Sequence, residues 1–301
     1  MKPRYIALGL VATLALGLGL FFTLVPPPRQ LSVIDGLLGG GSGTEEIAEG
    51  VAFGTHGQRL NIWKPSDAGA DEKLPVLIFW YGGGWADGSR QDYAFAARAF
   101  ARAGFLVVLP DYRKVPKIRF PAFVEDGADA VAWTRDHIAE YGGDPDRIAL
   151  AGHSAGAHIA ALVALDKSRL NAVNVDPDVV KAVVGLSGPY DFYPFTAQRA
   201  IEAMGQYPDP QATQPLHFAR ADAPPMLLVT STGDTTVRPK NAINLGNRLA
   251  ELGAPVEVKN YPGINHEEVV MALSVPFRGK APVLADSVAF LNRYLKPSAA
   301  K

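Results

Sequence analysis

The residues that most narrow what this chain can fold into run from Arg147 to Leu165, RIALAGHSAGAHIAALVAL. An apolar run, Ile148 to Ala151, leads into Gly152-His153-Ser154-Ala155-Gly156, and an alanine-rich segment of helical composition follows at once. A strand, a tight turn and a helix in that order place Ser154 at an apex, with the residues two before and two after it in contact. Only side chains as small as glycine fit there, and the apex residue takes a strained backbone that its surroundings must enforce. The first helical turn leaves free N–H groups beside the hydroxyl, where negative charge is favoured. Outside this strand–helix context the bare pentapeptide would carry no such meaning.

Composition limits the partners. The chain has 301 residues, 29 basic and 30 acidic, a balance that argues against nucleic acid as a partner. Hydrophobic residues make up 48% of it, enough for a substantial core in one large α/β domain or two small ones. There is no cysteine, which excludes disulfides, thiolate metal sites and cysteine nucleophiles.

At the amino end, Lys2 and Arg4 precede an uncharged apolar run from Tyr5 to Val25. It is long enough to span a bilayer as a helix and ends in Pro26-Pro27-Pro28 with no small-x-small cleavage pattern. The expectation is an uncleaved signal anchor over residues 1–25, a transmembrane helix with residues 5–25 in the membrane. The folded domain would then lie on the non-cytoplasmic (periplasmic or extracellular) side. The alternative is a cleaved signal peptide and a secreted product. Residues 26–46, with the triproline, an apolar patch (Leu31 to Leu38) and the run Gly39 to Gly43, are expected to form a Pro/Gly-rich tether.

From about Ile47 the pattern turns to short strands. Ile47–Phe53 and Arg59–Trp63 suggest a hairpin around Gly54 to Gly57, and PVLIFW (75–80) is a continuous apolar run typical of a strand buried on both faces. Further strands are expected at 105–109, just before Ser154, and at 181–186, 225–231 and 256–261. Helical pattern lies between them at 93–103, 123–141, 240–252 and 281–295. Alternation of this kind predicts one α/β domain over 47–297. It would be a mostly parallel eight-stranded sheet with helices on both faces and a lid-like insertion at 188–223.

Ligands of such sheets bind beyond the carboxyl ends of the strands. Four of these ends carry chemistry: Tyr81-Gly82-Gly83-Gly84-Trp85, Ser154, Gly233-Asp234, and Pro262 to His266. The chain order Ser154, Asp234, His266 fits a nucleophile, acid and base. A serine hydroxyl is a weak nucleophile near neutral pH and needs such a base. Asp234 could instead cap the turn before Thr235-Thr236. His56, His137, His153, His158 and His217 do not follow a strand end after the acid and are read as structural. Asp111 and Arg113 are read as anchors of their loop.

Taken together, these residues resemble the α/β-hydrolase esterases, the group related to hormone-sensitive lipase and to the bacterial acetyl and feruloyl esterases (BD-FAE-type). The likeness runs from about residue 50 through YGGGW (81–85), PDYR and FPA (110–113, 120–122), GGDPDRIALAGHSAG (142–156), GDTTV (233–237) and the terminal histidine loop. The chain departs from the pattern at Tyr81, where the family usually has His, and at Lys117, where it often has Glu. The resemblance implies an α/β-hydrolase fold and a serine hydrolase that cleaves carboxylic esters through an acyl-enzyme. Ser154 would be the nucleophile, His266 the base and Asp234 its partner, with Gly83, Gly84 and Ala155 donating to the oxyanion. Aryl formamide hydrolysis is the alternative within enzymes, and a non-catalytic ligand-binding receptor the alternative outside them. The aromatic insertion is expected to roof an acyl or alcohol pocket through Tyr190 and Phe192, with Trp85 on the opposite side. No metal-ligand spacing, phosphate loop or dinucleotide fingerprint occurs, so no metal and no cofactor are expected, and the partner is a small-molecule ester.

Overall fold

The computed structural model describes residues 16–69 and 72–295. Its centre is one eight-stranded sheet: β1 (Thr44–Phe53), β2 (Gln58–Pro65), β3 (Leu74–Trp80), β4 (Leu106–Pro110), β5 (Gly143–His153), β6 (Val180–Leu186), β7 (Met226–Ser231) and β8 (Val256–Tyr261). The spatial order is β1-β2-β4-β3-β5-β6-β7-β8. β1 and β2 form an antiparallel hairpin, and β2 runs antiparallel to β4. Every other neighbouring pair is parallel.

This is the sheet anticipated from the apolar runs, and burial explains it. Val76 to Trp80 and all of β4 and β7 are buried, because helices cover both faces and leave no solvent side to mark with polar residues. The helix Ala155–Leu165 is buried along its whole length, so its apolar residues show no amphipathic stripe. It can lie close to the helix Ala122–His137 because Gly127 offers no side chain there; a β-carbon would come within 2.6 Å of Ile159 and 3.0 Å of Val163. In the hairpin, Gly54 and Gly57 adopt φ of 59° and 80°, which glycine tolerates without strain.

Two expectations for the amino end are corrected. Residues 16–24 are helical, but no helix among the described residues is long and apolar enough to cross a membrane. A bilayer needs about 20 apolar residues in one helix. Here the helix ends before the prolines, and residues 5–15 of the run lie outside the described residues. No transmembrane helix is therefore part of the described fold.

Nor are residues 26–46 a free tether. Pro27–Asp35 is a helix, with proline in its first turn where the missing N–H costs nothing, and Thr44 already opens β1. Leu31, Ser32 and Asp35 are buried. Asp35 Oδ2 pairs with the Arg98 guanidinium at 2.8 Å, and Asp35 Oδ1 accepts from the Val275 N–H at 2.8 Å. Ser32 Oγ donates to the Asp92 carbonyl at 2.7 Å. A composition suited to flexibility was overridden by one buried carboxylate and its partners.

The insertion is pinned in a similar way. His158 Nε2 lies 2.8 Å from the Thr213 carbonyl, which can only accept, so this nitrogen carries the proton. Burial first, with a nearby Arg169 charge opposing protonation as a smaller cause, lowers the His158 pKa from 6.5 to about 4.

Two outcomes follow. Asp35→Ala strands a buried guanidinium and should lower stability by about 3 kcal/mol in urea titrations, whereas Asp35→Ala/Arg98→Leu should recover part of that loss. The folded protein keeps His158 neutral down to about pH 4 while an unfolded histidine protonates near 6.5, so acid favours unfolding across that window. Stability should therefore fall as pH drops from 6.5 towards 4. In His158→Phe the slope should be shallower by up to about 1.4 kcal/mol per pH unit.

Candidate active site

Ser154 sits where β5 gives way to the helix Ala155–Leu165, with φ 54° and ψ −120°. The sequence permits this turn because of its two glycines. A β-carbon on Gly152 would overlap the Gly156 carbonyl group, and one on Gly156 would overlap the Trp80 carbonyl. The Ser154 N–H donates to the Leu186 carbonyl on β6 at 2.9 Å, which ties the apex to the sheet. The Ala155 N–H opens the helix and so has no intrahelical partner.

The other two strand ends converge on it. His266 Nε2 lies 2.9 Å from Ser154 Oγ, and His266 Nδ1 lies 2.8 Å from Asp234 Oδ2. Asp234 Oδ1 accepts from the N–H groups of Thr236 (3.0 Å) and Val237 (2.8 Å), so the capping role weighed from sequence and the pairing with His266 use different oxygens of one carboxylate. With the carboxylate on Nδ1, the imidazole carries its proton there and presents a bare Nε2 to the hydroxyl. Both side chains are buried, which strengthens their electrostatic interaction.

Local sequence fixes the histidine. Asn265 and Glu268 form a reciprocal capping box, each side chain accepting the other's backbone N–H at 2.9 Å, and this sets His266 at the first helical position of His266–Met271. Ser231 joins the loops of the acid and the histidine. Its hydroxyl donates to the Ile264 carbonyl and accepts from the Gly233 N–H at 3.1 Å.

His153 also has a larger part than its local packing suggested. Its Nε2 lies 3.2 Å from the His266 carbonyl and its Nδ1 lies 3.0 Å from the Tyr93 hydroxyl. A carbonyl can only accept, so His153 donates from Nε2 and accepts the Tyr93 proton at Nδ1. Its ring lies 4.8 Å from that of His266. Burial, with the His266 charge as a second cause, holds the His153 pKa well below its usual value. It therefore remains a neutral neighbour if His266 takes a proton. No sequence signal marked Tyr93, because its role depends on a fold contact with His153.

The glycine loop after β3 completes the floor. Gly83 and Gly84 take φ of 138° and 58°, and the Gly83 carbonyl accepts from Ala86 and Asp87. Tyr81, which stands where the resembled esterases usually have His, is a buried strut. Its hydroxyl donates to Asp111 at 2.9 Å and its ring stacks on Tyr112 at 4.7 Å. Asp111 also receives Arg90, and Arg113 pairs with Asp126 at 2.7 Å, so both residues of that segment hold loops in place.

A cavity of about 780 Å³ opens over Ser154 and His266 and reaches Gly83, Gly84 and Ala155. Trp85 and Phe192 line it, but they stack on each other at 6.0 Å and form one wall, not two facing ones. Tyr190 does not line it. The ring is fully buried against Gly185 and Gly188, which lack the side chains that would collide with it. Among the described residues no cluster of three His, Cys, Asp or Glu side chains is placed to hold a metal ion.

Similarity to known proteins gives the chain its family. It is 29% identical to the esterase LipQ of Mycobacterium tuberculosis over 238 residues, which is 72% of this chain and 56% of that one. It is 30% identical to the probable carboxylic ester hydrolase LipM of the same organism over 239 residues, 72% of this chain and 55% of the other. It thus spans little more than half the length of these relatives. Among solved structures, the thermophilic esterase Est2 of the planctomycete Thermogutta terrifontis superposes with a TM-score of 0.67 at 25% identity, covering 81% of this chain and 90% of that one. The BD-FAE family model matches residues 60–249, from β2 through the helix that follows Asp234. With that match spanning the sheet from β2 to β7, the chain belongs to the BD-FAE family, on the α/β-hydrolase fold.

Proposed function

We propose that the protein is a serine hydrolase that cleaves carboxylic esters through an acyl-enzyme intermediate. The observation that carries this reading is the unbroken line Ser154 Oγ, His266 Nε2, His266 Nδ1, Asp234 Oδ2, with contacts of 2.9 and 2.8 Å inside a cavity large enough for a small ester. Ser154 attacks the carbonyl carbon as His266 Nε2 takes its proton. The same nitrogen returns that proton to the leaving alkoxide, and a water molecule then repeats the sequence on the acyl-serine. Asp234 holds the imidazole in the tautomer with a bare Nε2 and offsets the charge of the imidazolium. Its own N–H partners at Thr236 and Val237 keep it an acceptor.

The oxyanion that forms at each step is assigned to the N–H groups of Ala155, Gly83 and Gly84, which border the same cavity. The Ala155 N–H lies at the start of a helix, where the aligned peptide dipoles favour negative charge. One such donor is worth about 10²–10³ in rate. The Ser154 N–H is engaged by Leu186 and takes no part. The relatives LipQ and LipM, named as an esterase and a probable carboxylic ester hydrolase, point to the same chemistry.

Ser154→Ala should lower kcat on p-nitrophenyl esters by about 10⁴–10⁶-fold with the melting temperature retained. Turnover within tenfold of the parent, as a rough threshold, would remove Ser154 from the mechanism. A fluorophosphonate probe should label Ser154 in the parent protein, and His266→Ala should lose that labelling. Running N-formylkynurenine beside the esters decides the formamide alternative: faster turnover of the amide would replace the ester assignment.

A further inference from the structure

One border of the active-site cavity comes from no strand end. Pro26, Pro27 and Pro28 line it, together with Ser154, Gly83 and His266. These prolines lie upstream of residues 60–249, the part that matches the family. The border is thus set by a segment outside the stretch that matches the family.

The segment is held firmly enough to act as a wall. On one side Ser32 Oγ donates to the Asp92 carbonyl at 2.7 Å and accepts from the Phe95 N–H at 3.3 Å, and Asp92 and Tyr93 themselves line the cavity. On the other side Asp35 takes the Val275 N–H at 2.8 Å, shortly beyond the helix that carries His266. The Arg98 guanidinium closes this knot, reaching both Asp35 (2.8 Å) and the Ser32 carbonyl (2.6 Å). Gln30 Nε2, just after the prolines, donates to the Val25 carbonyl just before them at 2.7 Å and fixes the bend. Each prolyl ring is hydrocarbon, locks φ and leaves no N–H, so this border is stiff and offers the cavity no amide donor. A substrate pressed against it loses little to reordering of the wall.

We propose that Pro26–Pro28 form a specificity-determining wall that contacts the hydrocarbon arm of the substrate and favours esters with an extended alkyl chain over short ones. The proposal rests on the esterase reading above. Asp35 touches no part of the cavity and acts through the position of the wall.

The test uses the full-length protein with p-nitrophenyl acetate against p-nitrophenyl octanoate, and ethyl acetate against octyl acetate, so that the arm is probed on the acyl and on the alcohol side. In Pro27→Gly/Pro28→Gly the long-to-short ratio of kcat/KM should fall about tenfold in at least one series, the scale of losing burial of roughly two methylene groups, through KM more than kcat. Asp35→Asn loosens the anchor from a distance and should lower the same ratio while acetate kcat/KM stays within about twofold. Unchanged ratios in both series, for variants that melt cooperatively, overturn the wall. If one variant fails to fold, the other decides. A parent protein that turns over none of the esters removes the esterase reading itself, an outcome distinct from a flat ratio in an active enzyme.

Discussion

Ser154 is held at φ 54°, ψ −120°, a backbone conformation that costs of order 1–3 kcal/mol for a residue with a β-carbon. The rest of the carboxyl edge of the sheet depends on that conformation being enforced. Packing enforces it: the missing side chains of Gly152 and Gly156 allow the turn to close against the Trp80 carbonyl, and the Leu186 carbonyl holds the Ser154 N–H. The strain aims the hydroxyl out of the sheet and starts a helix directly behind it. A relaxed turn would displace both the hydroxyl and the Ala155 N–H, and with them the meaning of every other residue in the cavity.

Around this apex the structure builds supports that lie behind the Ser154–His266 contact. Asp234 orients His266 from one side. His153 holds the backbone of His266 from the other and is kept neutral by burial. Ser231 clasps the two loops, and the Asn265–Glu268 capping box sets where the histidine helix begins. Tyr81 and Asp111 do the same for the glycine loop. The contacts of His266 with Asp234 and His153, and of Ser231 with Ile264, lie in a buried setting, where an unmade partner is costly and the geometry is correspondingly well defined.

Much of the fold was legible because burial writes itself into apolar runs. β3, β4, β6 and β7 read as continuous hydrophobic segments close to their observed limits, and the hairpin of β1 and β2 was marked by its glycines. Ser154, Asp234 and His266 could be picked out as strand-end residues in a telling order. The amino end was misread for a physical reason. Proline and glycine indicate local stiffness and freedom, but residues 26–46 follow the contacts of Ser32 and Asp35, whose partners lie about 60 residues away at Asp92 and Arg98, and farther still at Val275. The apolar run before them met the length condition for a membrane span, yet the described helix stops before the prolines.

The alternation of strands and helices, and the placing of Ser154, Asp234 and His266 just beyond strand ends, could be read from the amino-acid order, because periodicity and strand-end position are local properties of the chain. What surrounds them emerged from packing: Trp85 and Phe192 share one wall, Tyr190 is core, His153 braces His266, and prolines from the amino end border the cavity. Those are meetings of residues distant in sequence. They are fixed by which surfaces must be buried together and which hydrogen-bonding groups must then be paired, and neither is encoded at any single position.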